Sequence, residues 1–259
     1  MEPVIICIAK KEHDYIEEFI KYHLALGFKF IYLYDNEDIP TYEILLSKYK
    51  DNIKFIHLPF NNYQKPVQYM ALDHFINNFL FNINITHVAH IDIDEFIVLK
   101  KHKNICDFIE EYIVGDCEGI GMNWRFFGSN GRNEKTNEPV TIRFTMCELH
   151  SNMHIKTLFK KDYFESFNTC HDVNLSKGYI KSTNNSIIKG PFCNNIDNSV
   201  IQLNHYKCKT LPEFRYIRTR QRADIIGDIH EDVDENFRIY DKNEIEDLYA
   251  YNFYKNIKN

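Results

Sequence analysis

Two aspartates separated by a single isoleucine, Asp92 and Asp94, form the clearest candidate site in the sequence. They directly follow an apolar run, His87–Ile91, which is typical of a buried strand. In open α/β sheets, ligands bind in the crevice beyond the carboxyl ends of the strands. Two carboxylates there can hold a hard cation such as Mn²⁺ or Mg²⁺, which bridges to a diphosphate. A solvated acidic turn is the alternative interpretation, because this short spacing also occurs by chance.

Four other residues could take part in such a site. Asp35 ends another strand-like run and could accept hydrogen bonds from a base or ribose, although a turn-initiating aspartate fits equally well. His205 could complete a metal shell or serve as a structural histidine. The single tryptophan, Trp124, precedes a glycine-containing loop that begins at Gly128, which suits stacking on a sugar ring as well as core packing.

A basic segment near the C-terminus could neutralise phosphate groups. It begins at Thr210-Leu-Pro-Glu213, whose spacing predicts a capping box at the start of a helix. A basic helix face is usually only solvated, so charge alone does not establish a phosphate site. The basic residues are Lys207, Lys209, Arg215, Arg218, Arg220 and Arg222.

The elements that must position these residues alternate between strand and helix in the first half of the chain. This alternation predicts a parallel sheet with helices on both faces. The first helix is expected to have Asp14 as its N-cap and to end at Gly27. The predicted strands are Val4–Ala9, Phe28–Tyr34, Ile53–Leu58 and His87–Ile91, and the predicted helices are Tyr15–Leu24, Thr41–Lys50 and Val67–Phe79.

After about residue 118 the pattern becomes irregular. Strands are predicted at Glu118–Trp124, Thr141–Cys147 and Ile155–Lys160, with a polar loop at Gly128–Pro139. Residues 165–200 are weakly patterned, which indicates loops and short strands around a site. We therefore predict one α/β domain with an irregular second half.

The composition excludes several classes of protein. Apolar residues make up 44% of the chain and aromatic residues 15%, too much for a disordered chain. The net charge of −6 argues against a surface built for nucleic acid or an anionic membrane. No apolar run approaches the ~20 residues of a membrane span, so we expect none. Seven scattered cysteines without a CxxC spacing favour a reducing compartment, the cytoplasm, or the host cytoplasm for a viral protein.

Five segments occur in the order found in family 92 glycosyltransferases and their bacterial and viral relatives, the family-2-like DUF23 group. They are KKEHDYIEEFIKYHLALGFKFIYLYDNED, HIDIDEF, NWRFFGSNG, KTLFK and NHYKCKTLPEFRYIRTRQRAD, and the resemblance covers roughly residues 4–225. Known members are GT-A enzymes that use a nucleotide sugar and a metal ion and invert the anomeric carbon. The resemblance implies a GT-A-like, Rossmann-type sheet, with residues 1–117 as the nucleotide-binding half and 118–259 as the acceptor half.

The resemblance also implies roles for individual residues. Asp94 matches a direct metal ligand, and Asp92 matches a metal ligand nearer the ribose. His205 matches a third metal ligand. Asp35 matches an acidic residue that faces the nucleoside, and Lys156 matches a lysine that faces the diphosphate.

Two positions depart from the pattern of the family. Lys11-Glu12 stands where Asn-Glu is usual, and Arg222-Ala223 stands where Arg-Gly is usual. Arg222 remains a candidate for binding the donor. The departures bear on donor specificity and leave the metal centre intact.

The combined interpretation is a metal-dependent, inverting transfer of a hexose from a nucleoside-diphosphate donor, UDP-linked, to a glycan or other hydroxyl acceptor. Trp124 and Gly128 are the candidates for binding the acceptor. Inversion requires a base on the face of the sugar opposite the diphosphate. The candidates are Asp172, His171 and Glu148, and we favour Asp172 because a loop residue can approach a bound acceptor.

Two other functions remain open at this point. A haloacid-dehalogenase-like phosphatase also places its nucleophile in a DxD motif at the end of a strand. That class requires a small or β-branched residue two places after the second aspartate, where this chain has Phe96. A non-catalytic nucleotide-sugar-binding protein is the second alternative. The intact pair of aspartates and His205 argue against it.

Overall fold

A large mixed β-sheet forms the centre of the structure, which is a computed structural model. It describes residues 1–59, 65–82, 84–220, 222–225 and 232–257. The strands are β1 (Pro3–Ala9), β2 (Phe30–Asp35), β3 (Ile53–His57), β4 (His87–His90), β5 (Glu95–Leu99), β6 (Cys117–Phe126), β7 (Met146–Cys147), β8 (Ile155–Lys160), β9 (Phe164–Phe167), β10 (Val173–Leu175), β11 (Tyr179–Lys181), β12 (Ile187–Ile188), β13 (Ile201–His205) and β14 (Ile245–Glu246). The helices are α1 (Ile16–Ala25), α2 (Tyr42–Leu45), α3 (Val67–Phe75), α4 (Ile105–Tyr112), α5 (Val140–Arg143), α6 (Leu211–Arg218), α7 (Val233–Tyr240) and α8 (Tyr249–Lys255).

The order of strands in the main sheet is β12-β11-β6-β8-β4-β1-β2-β3. β1 pairs in parallel with β2 and β4, and β2 pairs in parallel with β3. The carboxyl ends of these four strands therefore meet at one edge. β8 runs antiparallel to both β4 and β6, which makes the second half mixed. The predicted α/β class, with a parallel first half and an irregular second half, is confirmed.

The central strand β1 is buried on both faces, as its continuous apolar sequence predicts. Ile5 belongs to the hydrophobic cluster that includes Phe19 of α1. Ile6 belongs to the second cluster, which includes Phe75 of α3. Helices therefore cover both faces of the sheet, and that prediction is also confirmed. Within the described residues, no helix has the length and apolar character that crossing a membrane requires.

The sequence pattern did not predict two strands, β5 and β13. Through β13, residues 201–205 join β6 of the main sheet. The two strands pair with each other in antiparallel orientation, and His205 lies opposite Glu95. β13 also pairs in parallel with the end of β6, where His205 lies opposite Phe126. This pairing brings His205 to the turn that contains Asp92 and Asp94.

The strand predicted at Thr141–Cys147 is wrong, because its first part forms α5 and only Met146–Cys147 is a strand. The carboxylate of Glu18 accepts the backbone N–H groups of Val140 and Thr141 at 2.6 and 3.0 Å. It also accepts the Thr141 hydroxyl at 2.6 Å. Orphan N–H groups at a helix start need such acceptors. A distant residue therefore holds a β-prone segment in a helical turn.

Two predictions about helix starts and lengths are also wrong. Asp14 does not cap α1, because the first N–H groups of that helix donate to the backbone oxygen of Glu12, and the Asp14 carboxylate pairs with Lys135. The helix predicted over Thr41–Lys50 is shorter, with α2 followed by a 3₁₀ turn at Ser47–Tyr49.

The capping box predicted before the basic helix is confirmed. The Thr210 hydroxyl accepts the backbone N–H of Glu213, and the Glu213 carboxylate accepts the backbone N–H of Thr210. Arg143 pairs with the same carboxylate at 2.8 Å, and both side chains are 1% exposed. α6 therefore begins at a fixed place, which determines where its later arginines lie.

Candidate functional site

A cavity of about 640 Å³ opens beyond the carboxyl ends of β1 and β4, at the crevice where α/β proteins bind ligands. Its volume lies in the usual range for small-molecule sites. Side chains from both halves of the chain line it. The polar and aromatic residues among them are Lys10, Glu12, Asn36, Gln68, Asp92, Asp94, Trp124, Phe126, Asn152, His154, His171, His205, Lys207, Arg218, Arg220, Arg222, Asp224, Asn236 and Tyr240.

Asp92 and Asp94 lie in the tight turn between β4 and β5, which a third carboxylate closes. The backbone N–H of Asp92 donates to Oε2 of Glu95 at 2.9 Å, and the Glu95 N–H donates to the Asp92 carbonyl oxygen at 3.0 Å. Glu95 is fully buried, and burial raises its pKa well above the usual range. The backbone of this turn therefore places both aspartates at the cavity.

Asp92 is tied to buried cationic and amide groups. Its Oδ2 atom lies 3.0 Å from Nζ of Lys156, and its Oδ1 accepts a hydrogen bond of 3.2 Å from Nε2 of Gln68. Although burial opposes the charge, Lys156 lowers the pKa of Asp92. The side chain of Asp92 is still 35% exposed, toward the cavity.

Asp94 faces the imidazole of His205, with 3.5 Å between Oδ2 and Nε2. The pairing of β13 with β5 places the two side chains together, and the Tyr206 N–H fixes the turn by donating to the Asp94 carbonyl oxygen at 2.8 Å. Burial acts against the carboxylate, but the charge and hydrogen bond of His205 hold the pKa of Asp94 well below its usual range. Burial lowers the pKa of His205, against the opposite effect of the Asp94 charge.

The donor atoms of Asp94 and His205 fit two positions of a shell around a divalent cation. A carboxylate oxygen suits Mn²⁺ or Mg²⁺, and a neutral imidazole nitrogen is a common metal ligand in proteins. The other ring nitrogen of His205, Nδ1, is buried and has no hydrogen-bond partner among the described residues. Within that part of the chain, no three His, Cys, Asp or Glu side chains are already grouped around one point. The pair, with Asp92 beside it, is the candidate metal centre.

Lys156 lies beneath the cavity rather than in its wall, contrary to the expectation that it faces a diphosphate. Its side chain is 0% exposed. Besides Asp92, Nζ lies 4.0 Å from Oε2 of Glu95 and donates to the carbonyl oxygen of Cys170 at 3.2 Å. Burial opposes its charge, but Asp92 and Glu95 raise the pKa of Lys156 above its ordinary value. Its role in the structure is to orient Asp92.

Basic side chains from α6 and the following residues form one wall of the cavity. Arg220 donates to Glu12 at 2.7 Å, and Arg222, as expected, reaches the cavity while pairing with Asp224 at 2.8 Å. Lys209 instead bonds to the Tyr206 carbonyl oxygen at 3.0 Å and lies outside the lining group. The cations that line the cavity are Lys10, Lys207, Arg218, Arg220 and Arg222.

Another part of the wall is aromatic and includes Trp124. The indole stacks on His154 with 5.1 Å between ring centroids and an interplanar angle of 18°. It also contacts the rings of His205 at 4.6 Å and His171 at 5.1 Å. Its Nε1 is buried without a partner among the described residues. Trp124 therefore lies in the cavity wall, as predicted for a residue that stacks on a sugar.

Asp35 lies outside the group of described residues that line the cavity, and its oxygens are engaged locally. Oδ1 accepts the N–H of Glu37 at 3.0 Å, and Oδ2 accepts those of Thr41 at 2.8 Å and Tyr42 at 3.2 Å. This is the turn-initiating alternative considered above. The neighbouring Asn36 lines the cavity in its place.

Gly128 packs against the C-terminal part of the chain and not against the cavity. A Cβ atom at this position would come within 2.4 Å of the Lys242 carbonyl oxygen and 2.5 Å of the Asn243 side chain. The absence of a side chain therefore allows two backbone segments to approach closely. Its expected contact with an acceptor is not what the structure shows.

Asp172, the favoured base, is buried and points into its own turn. Its carboxylate accepts hydrogen bonds from Asn168 at 2.9 Å and from the Thr169 hydroxyl at 2.5 Å. Of the three candidates for the base, His171 lines the cavity, whereas Asp172 and Glu148 lie outside the lining group. Glu148 accepts the Phe126 N–H at 2.9 Å, and burial raises its pKa to about 7.

Sequence reasoning missed several polar residues of the cavity, among them Gln68, Asn152 and His154. Gln68 follows Pro66 at the start of α3, where nothing in the local pattern distinguishes it. Asn152 and His154 directly precede the correctly predicted strand β8. Because β8 runs antiparallel to β4, the start of β8 lies at the edge where β4 ends, a pairing that the local sequence does not indicate.

The chain was compared with known proteins by sequence and by structure. The sequence model of Glycosyltransferase family 92 matches residues 2–238. No curated protein matches the chain. A structure of S. aureus TarS 1-349 in complex with UDP-GlcNAc is similar over 62% of this chain and 46% of that chain, with 19% identity and a TM-score of 0.38. The structure of HddC from Yersinia pseudotuberculosis is similar over 62% of this chain and 77% of that one, with 13% identity and a TM-score of 0.34.

The structural likenesses are weak, and they establish no activity. The uncomplexed TarS 1-349 structure gives similar values, 17% identity and a TM-score of 0.37. The match spans less than half of that TarS chain, 47%. The sequence match, by contrast, extends over nearly the whole chain and includes every candidate site residue.

Proposed function

The chain belongs to glycosyltransferase family 92, and on this premise we propose that it transfers a hexose from a nucleoside-diphosphate sugar to a hydroxyl group. The donor is a UDP-sugar, and the acceptor is a glycan or another hydroxyl compound. The single observation that carries the proposal is the juxtaposition of Asp94 and His205, with Asp92 beside them, in a cavity with basic and aromatic walls.

The proposed donor site needs a divalent cation, Mn²⁺ or Mg²⁺, which Asp94 and His205 would hold with Asp92 next to them. When bound, such an ion supplies a Lewis acid that stabilises negative charge on a diphosphate. The fit rests on the 3.5 Å separation of Oδ2 and Nε2 and on the His205 Nδ1 atom, which is buried without a partner among the described residues.

The basic wall would bind the two phosphate groups of the donor. Lys207 and Arg218 line the cavity in addition to Arg220 and Arg222, which keep carboxylate partners. Fixed cations aimed at a leaving group stabilise the charge that develops on it as the glycosidic bond breaks. Because their partners already orient these side chains, little reorganisation is needed during the reaction.

The aromatic wall would receive the sugar. Trp124 presents a ring that contacts His154 and His205. In an inverting reaction, the attacking hydroxyl approaches the face of the sugar opposite the diphosphate. The acceptor would therefore enter from the side of this wall that is remote from Asp94.

The direct test is calorimetric titration of the protein with UDP, with Mn²⁺ present and with excess chelator. We expect binding with Mn²⁺ and a loss of affinity of at least about 100-fold with chelator, since the loss of even an outer-shell group costs about 10–100-fold. Equal affinity under both conditions would contradict metal dependence.

Turnover is then measured as UDP release from a panel of UDP-hexoses in the presence of Mn²⁺ and simple glycoside acceptors. We expect one or more donors to be consumed. If no sugar nucleotide is consumed but phosphate is released from phosphomonoesters, the phosphatase alternative is correct. Binding of UDP without turnover of any donor would instead support the non-catalytic alternative. A cytoplasmic location stays a prediction.

A further inference from the structure

Each described carboxylate in the wall of the cavity has an ion-pair or imidazole partner, and Asp172 is directed into its own turn. This leaves the neutral bases among the described residues of the wall as candidates for activating the acceptor. Two partly buried histidines, His154 and His171, line the aromatic wall and contact each other with 5.9 Å between ring centroids. The carboxylate pairs are Glu12 with Arg220, Asp92 with Lys156, Asp94 with His205 and Asp224 with Arg222.

The tautomer of His154 follows from its contacts with Asn152. Oδ1 of Asn152 accepts the backbone N–H of His154 at 3.0 Å, so this amide atom is the oxygen and not the nitrogen. The same oxygen lies 2.7 Å from Nδ1 of His154. Because an amide oxygen can only accept, Nδ1 carries the proton. Nε2 is then the basic atom of the ring.

The backbone holds this Asn–His pair firmly against Trp124. The Asn152 N–H donates to the Trp124 carbonyl oxygen at 2.9 Å, and the Trp124 N–H donates to the His154 carbonyl oxygen at 2.9 Å. The stacking of the indole on the imidazole adds a third constraint. A base oriented by another side chain and fixed in a rigid wall is the arrangement that general-base catalysis requires.

His154 and His205 both contact the indole of Trp124. The imidazole of His154 stacks on the indole at 5.1 Å with an interplanar angle of 18°, and the imidazole of His205 meets it at 4.6 Å and 61°. Inversion requires the diphosphate on one face of the sugar and the base on the other. A base at His154 therefore requires a sugar that binds between the two imidazoles.

The same ring is also next to the route by which an acceptor would enter. Phe192 packs edge-on against His154 with 4.6 Å between ring centroids, and Phe192 is 45% exposed. An acceptor that contacts this exposed ring would bring a hydroxyl group to Nε2. His154 thus lies between exposed Phe192 and the partly buried indole.

His171 is less suited to this role. Its Nδ1 donates to the Ile155 carbonyl oxygen at 2.9 Å, so its tautomer is also fixed. Burial and the charge of Lys156 lower the pKa of His171 to about 4, which makes it a weak base at neutral pH. Burial also lowers the pKa of His154, so that ring is neutral before it accepts a proton.

We propose that His154 is the general base of the transfer and that Asn152 is its positioning residue. The proposal rests on the glycosyltransferase function proposed above. Nε2 of His154 takes the proton of the acceptor hydroxyl while its oxygen forms the new bond to the anomeric carbon. The bond from that carbon to the diphosphate oxygen breaks, and UDP leaves with the electron pair. The proton passes from the imidazolium to solvent after release.

The first test replaces His154 by alanine and by glutamine and measures transfer from a UDP-hexose that the unmodified protein consumes. We expect kcat to fall by about 10²–10⁴-fold in both variants, the usual contribution of a general base. The affinity for UDP with Mn²⁺, measured by calorimetry, should stay within about threefold. His150→Ala is the matched control, since His150 is exposed four residues earlier, and it should leave kcat unchanged.

Chemical rescue separates a base from a structural histidine. Imidazole added to His154→Ala should restore part of kcat, and azide should restore sugar transfer to azide itself, because an anionic nucleophile has no proton to lose. Neither compound should accelerate the unmodified protein. If kcat of either variant stays within threefold of normal, or if neither compound rescues the alanine variant, His154 is not the base.

The tautomer can be checked without any substrate by ¹⁵N chemical shifts of the histidine side chains. We expect His154 to be neutral at pH 7 with the proton on Nδ1, and Asn152→Ala to shift the proton toward Nε2. A proton on Nε2 in the unmodified protein would overturn the proposal. If the unmodified protein consumes no sugar nucleotide, the proposed function itself fails. If it does and His154→Ala transfers equally well, only this inference fails.

Discussion

The two ends of the cavity are held by different physical means. We call Asp92, Asp94 and His205 the carboxylate end, and Trp124 with His154 the aromatic end. At the carboxylate end, ion pairs and a tight turn between strands fix the side chains, and Lys156 and Glu95 support them from below. At the aromatic end, ring stacking and backbone hydrogen bonds do so.

This difference separates two steps of the proposed reaction. The carboxylate end has the charges that a diphosphate and a cation need, and its loss should therefore remove donor binding. The aromatic end has neutral rings, which can contact a sugar without attracting a diphosphate. Its loss should therefore reduce transfer and leave the affinity for UDP nearly intact.

Asp94→Asn should have the largest effect, because it removes the charge that faces His205 at 3.5 Å. We expect the Mn²⁺-dependent affinity for UDP to fall by at least about 100-fold, since substitution of a mere outer-shell group already costs about 10–100-fold. Calorimetry measures this affinity, and Asp51→Asn, at an exposed turn, is the control. Unchanged affinity would show that Asp94 is not part of the donor site.

Lys156→Met tests whether the carboxylate end depends on its buried support. Removal of the lysine leaves Asp92 and Glu95 without their cation, and we expect a loss of about 3 kcal/mol in the free energy of unfolding, the lower end for buried pairs because Asp92 is 35% exposed. Denaturant unfolding measures the loss, and UDP affinity should fall as well. Lys160→Met on the same strand, with a side chain 36% exposed, should cost less than about 1 kcal/mol. If Lys156→Met binds UDP more weakly but unfolds with an unchanged free energy, Lys156 contacts the diphosphate directly.

Trp124→Ala tests the aromatic end. Because the indole is only partly buried, the loss of stability should lie below the ~3–5 kcal/mol typical of aromatic truncation in a core. Transfer should fall by at least tenfold, whereas the affinity for UDP should change less than threefold. Trp124→Phe keeps a ring for stacking and should retain most of the transfer. A stability loss in the full core range, with activity lost in proportion, would assign Trp124 to the fold alone.

Glu148→Gln should have the smallest effect on transfer, within about threefold, because this residue bonds to the Phe126 backbone outside the cavity. Its pKa is raised to about 7 by burial, so the native state holds a proton that the unfolded state loses near its ordinary pKa of 4.5. Stability from this group is present below pH 4.5 and is lost as pH rises toward 7. The glutamine variant should flatten that part of the stability profile, and Glu134→Gln in an exposed loop should not. An unchanged profile would contradict the raised pKa.

The sequence determined the features that depend on neighbours along the chain. The apolar run around Ile5 and Ile6 predicted a central buried strand, and the capping box of Thr210 and Glu213 was recognisable because its hydrogen bonds join residues three positions apart. The turn that contains Asp92 and Asp94 was likewise identified from its place after a strand. The match to family 92 confirms the enzyme class that the family resemblance implied.

Only the tertiary structure decided which distant groups meet. The register of β13 against β5 and β6 brings His205 to Asp94, and the carboxylate of Glu18 turns Val140 and its neighbours into a helix. Local patterns carry no information about such pairings, because periodicity specifies a buried face but not its partner. For the same reason the family resemblance implied a Lys156 that faces the diphosphate, and the loop position of Asp172 predicted a base at the acceptor. Burial and hydrogen bonds with residues from other elements put Lys156 beneath Asp92, and a local turn directs Asp172 away.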